Sequence, residues 1–266
     1  MLLIFHCTFS VTGDMLTASN KCHYLTSSLQ WSDALLMSSP RAWAASSLAG
    51  TDNNNQMILL GGVDRDNDTL DTIEVIDIEE GVAIKISLAL PTPLAGHCAV
   101  QLNSSHTFIA GGAVTGMAGL GEQPTLSNTA WILSDAGWAS AGQLRDQRSL
   151  HSCSSVFSHT GDHEVLVAGG IGLTTLGTRQ VLDSVEIYNV ATGRWRTAAS
   201  LPQPVFGASF IRLAGQPVLI GGHDQEDGQL VQSSSSHTYE QEWRSSTIKL
   251  NTPRGLAVVL AAPSFC

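Results

Sequence analysis

Positive charge is the scarcest property of this 266-residue chain: three lysines and ten arginines face 23 acidic residues, a formal net charge of −10. A surface that neutralises phosphates needs clustered Lys and Arg, so neither nucleic acid nor an anionic membrane is an expected partner. Long apolar runs are also missing. The best, Met1–Gly13 and Gly255–Cys266, fall short of the roughly 20 residues a membrane helix needs, so membrane insertion is not expected. No segment keeps a 3.6-residue period beyond about two turns, which argues against a helical domain. With 43% hydrophobic and 14% charged residues, the chain is nevertheless too apolar to be disordered.

Glycine and small hydroxylated residues are plentiful, and the glycines recur in a pattern. A glycine pair closes an apolar stretch four times, at Gly61-Gly62, Gly111-Gly112, Gly169-Gly170 and Gly221-Gly222, with spacings of 50, 58 and 52. After each pair comes a polar loop and then an alternating segment: Thr72–Asp77, Asn128–Leu133, Ser184–Asn189 or Ser234–Tyr239. A turn then leads to Trp138, Trp195 or Trp243, with Ile84 near that place in the first of these units. Leu90-Pro91 and Leu201-Pro202 bend the chain into the next apolar run. Pieces of four to eight residues bounded by Gly, Pro, Asn and Asp read as strands, so the class is all-β.

A unit of about 50 residues holding four short strands has the kelch period. The clearest copy sets Arg148, His151, Gly169-Gly170, Glu186, Tyr188 and Trp195 in kelch order, while Trp131 stands where another unit would carry its tyrosine. On these residues the chain resembles the kelch-repeat family, which implies one β-propeller domain over residues 1–266. With strands a to d numbered outward, a is expected at Ala95–Leu102, Leu150–Phe157 and Gly207–Leu213. Leu2–Phe5, Lys21–Leu25 and Trp31 supply b, c and the start of d with no a, and Arg254–Ala262 supplies an a alone. Joined, they predict a five-bladed ring closed by the C-terminal strand; the alternative is a fragment of a six- or seven-bladed propeller.

The paired glycines permit close backbone approach, and the tryptophans suit the wedge between blades. Gly61, Gly62, Gly111, Gly112, Gly169, Gly170, Gly221, Gly222, Tyr188, Trp138, Trp195 and Trp243 are therefore expected to be structural. Strand direction puts the d-to-a bends on the same face as the b-to-c loops Val63–Asp71, Ala113–Ser127, Ile171–Asp183 and His223–Val231. Resemblance to kelch proteins implies that arginines opening the a strands ring the channel mouth and contact acidic or polar peptides. By position these are Arg41, Arg148 and Arg254; Leu94 and Val205 fill the other places. A competing reading has the arginines bonding nearby loop carbonyls.

No metal or cofactor is expected. Asp64–Asp68 lacks the glycine and the closing glutamate of a calcium loop, and His159 with His163 has no third ligand. His97 and His151 look like members of the inner strands. The expected function is a non-catalytic propeller that binds a protein or peptide. The alternative is a carbohydrate-active or carbohydrate-binding propeller, like the sugar oxidases and mutarotases that share the architecture. Against a copper oxidase, Tyr24, Tyr188 and Tyr239 all fall on c strands. Cys98 and Cys153 read as small apolar residues at equivalent inner-strand places. A disulfide among Cys7, Cys22 and Cys266 would tie shut the seam of the ring. That would lean the chain toward a secreted setting, a cytoplasmic one being left open.

Overall fold

The computed structural model describes residues 5–12, 15–24, 35–49, 56–77, 80–115, 124–213, 216–226, 229–233, 235–240 and 242–246. Among them every regular element is a strand. Four antiparallel sheets follow one another, each with its strands in the order a-b-c-d. Blade I is Ala45–Ala49, Gln56–Leu60, Thr72–Asp77 and Val82–Ala89. Blade II is Cys98–Asn103, His106–Ala110, Thr129–Ser134 and Gly137–Gln143. Blade III is Ser152–Phe157, His163–Ala168, Val185–Asn189 and Arg194–Thr197. Blade IV is Ser209–Leu213, Gln216–Ile220, Ser236–Tyr239 and Trp243–Ser245.

Strand b of each blade is buried on both faces, which is why these segments read as continuous apolar runs such as Met57–Leu60 and Val165–Ala168. The core is consequently divided among the seams between blades. At the seam of blades II and III, Phe108 of one lies 5.5 Å from Tyr188 and 6.1 Å from Trp195 of the other, measured between ring centres. Each outer-strand tryptophan also reaches back one blade to donate its indole N–H. Trp138 donates to Ala89 O at 2.8 Å, Trp195 to Ala141 O at 2.7 Å and Trp243 to Ala199 O at 3.0 Å. One side chain thus fills the wedge and satisfies a carbonyl of the preceding blade.

The glycine pairs work at the same seams. Gly62, Gly112 and Gly170 donate their N–H groups to Leu94, Arg148 and Val205 O of the next blade, at 2.9, 2.7 and 2.8 Å. This approach leaves no room for a side chain: a Cβ on Gly169, whose φ is +67°, would stand 2.4 Å from Val205 O. A second belt runs around the inner rim, where Gly96 N donates to Trp43 O, Leu150 N to Gly96 O and Gly207 N to Leu150 O. Trp43, Gly96, Leu150 and Gly207 hold one place in successive blades, all left-handed with φ of 51°, 61°, 53° and 62°. That two of the four are not glycine shows the belt imposing the conformation against a cost of roughly 1–2 kcal/mol per residue.

Three expectations need correction. Trp131 pairs with Ile109, two residues before the glycine pair, whereas Tyr188 pairs with Val165, four before it. Leu133, opposite Thr107, therefore occupies the tyrosine place in blade II; with a strand period of two, both residues share a face. At the N-terminus, Phe5–Thr12 and Met15–Tyr24 form a hairpin, and Leu35–Arg41 joins it to blade I through the parallel pair Leu36–Val82. These strands extend the sheet of blade I at its outer edge, where unpaired backbone groups accept another strand. Third, Cys98 and Cys153 are one place apart in blade register and form a disulfide, with Cα atoms 5.8 Å apart. Cys7 and Cys22 stand directly opposite on the N-terminal hairpin. Trp31, Arg254–Ala262 and Cys266, on which ring closure was expected to rest, lie outside the described residues.

Candidate interaction face

Each b-to-c connection starts from a fixed base. The residue after the glycine pair bridges back to the residue that precedes the left-handed turn: Val63 to Ala42, Ala113 to Ala95, and Ile171 to Ser149. In blade IV, Val205–Phe206 pairs with His223–Asp224 instead. From these bases the later connections rise as two-stranded ribbons. They are Ala113–Thr115 with Thr125–Leu126, Ile171–Leu173 with Arg179–Val181, and His223–Glu226 with Gln229–Gln232. The blade I loop is shorter, closed by a Val63–Thr69 bridge and by the Asp64 carboxylate, which accepts from Asp66 N and Asp68 N at 2.9 and 3.0 Å.

The blade III ribbon ends in a hydrogen-bonded turn. At its tip Thr174 and Thr178 hydroxyls bond at 2.6 Å, Thr178 N donates to Thr174 Oγ1 at 3.1 Å, and Gly177 turns with φ of 76°. Leu176 stands on that tip with 89% of its surface exposed. A large apolar side chain held out on an ordered turn is an unusual use of leucine, because burial is worth on the order of 2 kcal/mol to it.

Arg41 and Arg148 do not line this face as ligand groups. Their guanidinium groups are buried, at 1% and 0% exposure, and are spent inside their own blades. Arg148 donates to Gly169 O at 2.9 Å, Ser184 O at 3.0 Å, Ser184 Oγ at 2.9 Å and Glu186 Oε1 at 2.8 Å. Arg41 repeats the pattern with Gly61 O, Thr72 O, Thr72 Oγ1 and Glu74. The glutamates tie in the bend before strand a: Glu186 accepts from Arg145 N at 2.7 Å, and Glu74 from Ser38 N at 2.8 Å. Burial alone would raise the Glu74 carboxyl, but Arg41 and the Ser38 and Ser39 donors outweigh it and hold it below the usual range. For Arg148, burial pushes the guanidinium down while Glu186 and Asp146 push it back. The reading in which these arginines bond neighbouring carbonyls is the one the geometry supports for Arg41 and Arg148. Arg254 lies outside the described residues.

The partnership was visible in the repeats. Glu74, Trp131, Glu186 and His237 each pair with the residue two before a glycine pair, so they share one place in four blades. Glutamate stands there in the two blades whose bend carries arginine. The blades with Leu94 and Val205 at the bend have Trp131 and His237 instead. A buried charge without its partner is costly, so the two places change together.

Behind the rim, His97 and His151 immediately precede strand a of blades II and III, both buried. Burial pushes His97 down to about 3, and lowers His151 well below the ordinary histidine value with further contributions from Arg148 and His97. Among the described residues no three His, Cys, Asp or Glu side chains converge as a metal centre would require. His163 is engaged by Ser155 Oγ at 2.6 Å and stacks on Phe157.

Comparison with known proteins fits this architecture. The Kelch motif model matches residues 152–202, which is blade III from its first strand to the bend after its last. Human Kelch-like protein 33 is 34% identical over 139 residues, or 50% of this chain. Blade III thus carries a Kelch motif. The matched stretch makes up 23% of Kelch-like protein 33, so the chain spans under a quarter of the curated relative it matches. The solved structure of YjhT superposes with a TM-score of 0.69 over 91% of this chain and 81% of its own, at 16% identity. At that identity the likeness shows the fold, a β-propeller, and nothing finer.

Proposed function

We propose that this chain is a non-catalytic kelch-type propeller that binds a protein or peptide through the ribbons on its b-to-c face. The observation carrying this reading is the ordered blade III ribbon, which presents Leu176 at 89% exposure from a base locked to the inner rim. A contact loop that is already ordered loses little entropy on binding, so its apolar tip contributes most of its burial to affinity. Arg145 and Gln147, exposed on the bend beside that ribbon, supply a polar rim, an arrangement common at interfaces. The Kelch motif of blade III and the similarity to a Kelch-like protein support the same reading, since kelch propellers commonly engage protein partners.

The test is quantitative affinity capture with wild type, Leu176→Glu, Arg145→Glu and, on the opposite face, Phe157→Glu. The expected result is a partner lost with the first two variants and kept with the third. A partner set identical in all four, with each variant folded by circular dichroism, overturns the assignment of the face.

A further inference from the structure

The disulfide sits where the fold does not require one. Cys98 pairs with Ala110 and Cys153 with Val167, one place further from the glycine pair. Successive side chains leave a strand on opposite faces. The one-place offset therefore aims Cys98 forward at blade III and Cys153 back at blade II. At the seam of blades I and II the same two places hold Ala45 and Ala99, which meet in one apolar cluster. At the seam of blades III and IV they hold Ser152 and Phe210. Neighbouring seams thus close without a cross-link, and the cysteines replace an ordinary contact.

This seam also carries both long ribbons. Gly112 N donates to Arg148 O at 2.7 Å, and Arg148 N to Ser127 O at 3.2 Å, so the blade II ribbon is fastened at both ends to Arg148. The next residue, Ser149, bonds Ile171 at the base of the blade III ribbon, with N···O distances of 3.0 and 2.8 Å. The bend that joins the two ribbons enters strand a directly, and Cys153 lies on that strand. Cys153 is partly exposed whereas Cys98 is 7% exposed, so a reagent reaches Cys153 first.

We propose that Cys98–Cys153 is a reversible thiol–disulfide site whose redox state sets the rigidity of this seam and of the two ribbons anchored to it. In reduction, a thiolate attacks Sγ of Cys153 and forms a mixed disulfide, while Cys98 Sγ leaves as a thiolate and takes a proton. A second thiolate then releases Cys153 and carries away both reductant sulfurs as a disulfide. In oxidation, a small disulfide such as oxidised glutathione accepts the two electrons by the reverse steps and leaves as two thiols.

The test is hydrogen exchange by mass spectrometry on the full chain, oxidised with oxidised glutathione or reduced with dithiothreitol, with alkylation to count thiols. Reduction should speed exchange at the ribbon bases, 111–115, 125–128 and 169–173, while blade IV strands 216–220 and 236–239 stay unchanged. The expected rise is about tenfold or more, under a ceiling of roughly a thousandfold for a cross-link across 55 residues. Cys98→Ala/Cys153→Ala, which installs the alanine pair of the neighbouring seam, should exchange like the reduced protein and ignore reductant. Equal exchange in both redox states overturns the proposal. So does an equal response to reductant in the double variant, or failure of Cys98 and Cys153 to resist alkylation after oxidation.

Discussion

Replacing Arg148 by leucine should be among the most damaging single changes to the chain, and its cost should depend on the charge left behind. Leucine stands at the same bend in blade II, as Leu94, so shape alone is tolerated there. In Arg148→Leu, however, Glu186 stays 3% exposed, keeping the backbone donors of Arg145 and Asp146 at 2.7 and 3.3 Å but losing its counter-charge. Stranding one member of a buried pair costs about 3–5 kcal/mol, and Gly169 O and Ser184 O lose their guanidinium donor as well. At roughly 2–4 °C per kcal/mol for a chain of this size, the midpoint should fall by about 6–20 °C. Glu186→Gln then separates charge from shape, because the amide oxygen still accepts from Arg145 N, the closer of the two backbone donors, and only the 3.3 Å bond from Asp146 N loses its acceptor. In wild type this change should destabilise, by about 1–3 kcal/mol, through loss of the charged bond to Arg148. In Arg148→Leu it should instead stabilise by about 2 kcal/mol, since it removes the uncompensated charge. Urea unfolding of the four proteins at pH 7, followed by circular dichroism, measures this cycle. If Glu186→Gln destabilises both backgrounds equally, or Arg148→Leu costs under about 1 kcal/mol, the guanidinium is not committed to the interior. It would then be available to a partner after all.

His97 and His151 should make the protein acid-labile. Their folded pKa values lie below the unfolded value of 6.5, so their neutral burial contributes stability fully above that pH, and it is lost as pH falls toward the folded values. With His97 near 3, protonation of the unfolded chain should remove about 2–3 kcal/mol at that histidine by pH 4.5, and His151 acts in the same direction. His97→Gln/His151→Gln should therefore flatten the melting temperature between pH 6.5 and 4.5; an unchanged slope refutes the assignment. Gly169→Ala should destabilise by several kcal/mol, because its Cβ meets Val205 O at 2.4 Å. Gly137→Ala, at φ of +98° with no atom within 4 Å, should cost only the backbone strain of roughly 1–3 kcal/mol. Similar losses in the two alanine variants, read by chemical denaturation, would show that close approach at the seam is not what selects glycine.

The repeat was legible because its markers act across seams. A glycine that must let a backbone pass and a tryptophan that must bond the previous blade leave few substitutes, so they recur at fixed spacing. For Arg41 and Arg148 the sequence left two directions open, since a bend position does not say whether a side chain turns outward or under the loop. The deciding residues, Glu74 and Glu186, lie 33 and 38 positions further on. Only alignment of one blade with another reveals that glutamate and arginine come and go together. The disulfide was hidden by a similar register error. Cys98 directly follows His97, whereas Ser152 separates Cys153 from His151, and that single residue changes which face a side chain leaves. Treated as equivalent, the two cysteines would point the same way and never meet.

The same logic locates where specificity can reside. In the blades that lack the ion pair, the bend closes with Leu94 or Val205, and the glycine N–H of the preceding blade bonds the bend carbonyl whichever residue is there. The bend is thus a structural joint that tolerates either chemistry, and its identity is set by what lies beneath it. What varies freely above the joint is the connection from b to c: a closed loop in blade I and ribbons of different length in blades II to IV. Because each connection is rooted at the joint rather than on its own strands alone, its sequence can change without disturbing a seam. A surface meant to recognise one partner is most readily built there, and a bond such as Cys98–Cys153, set close beneath two of those roots, can alter recognition without touching a contact residue.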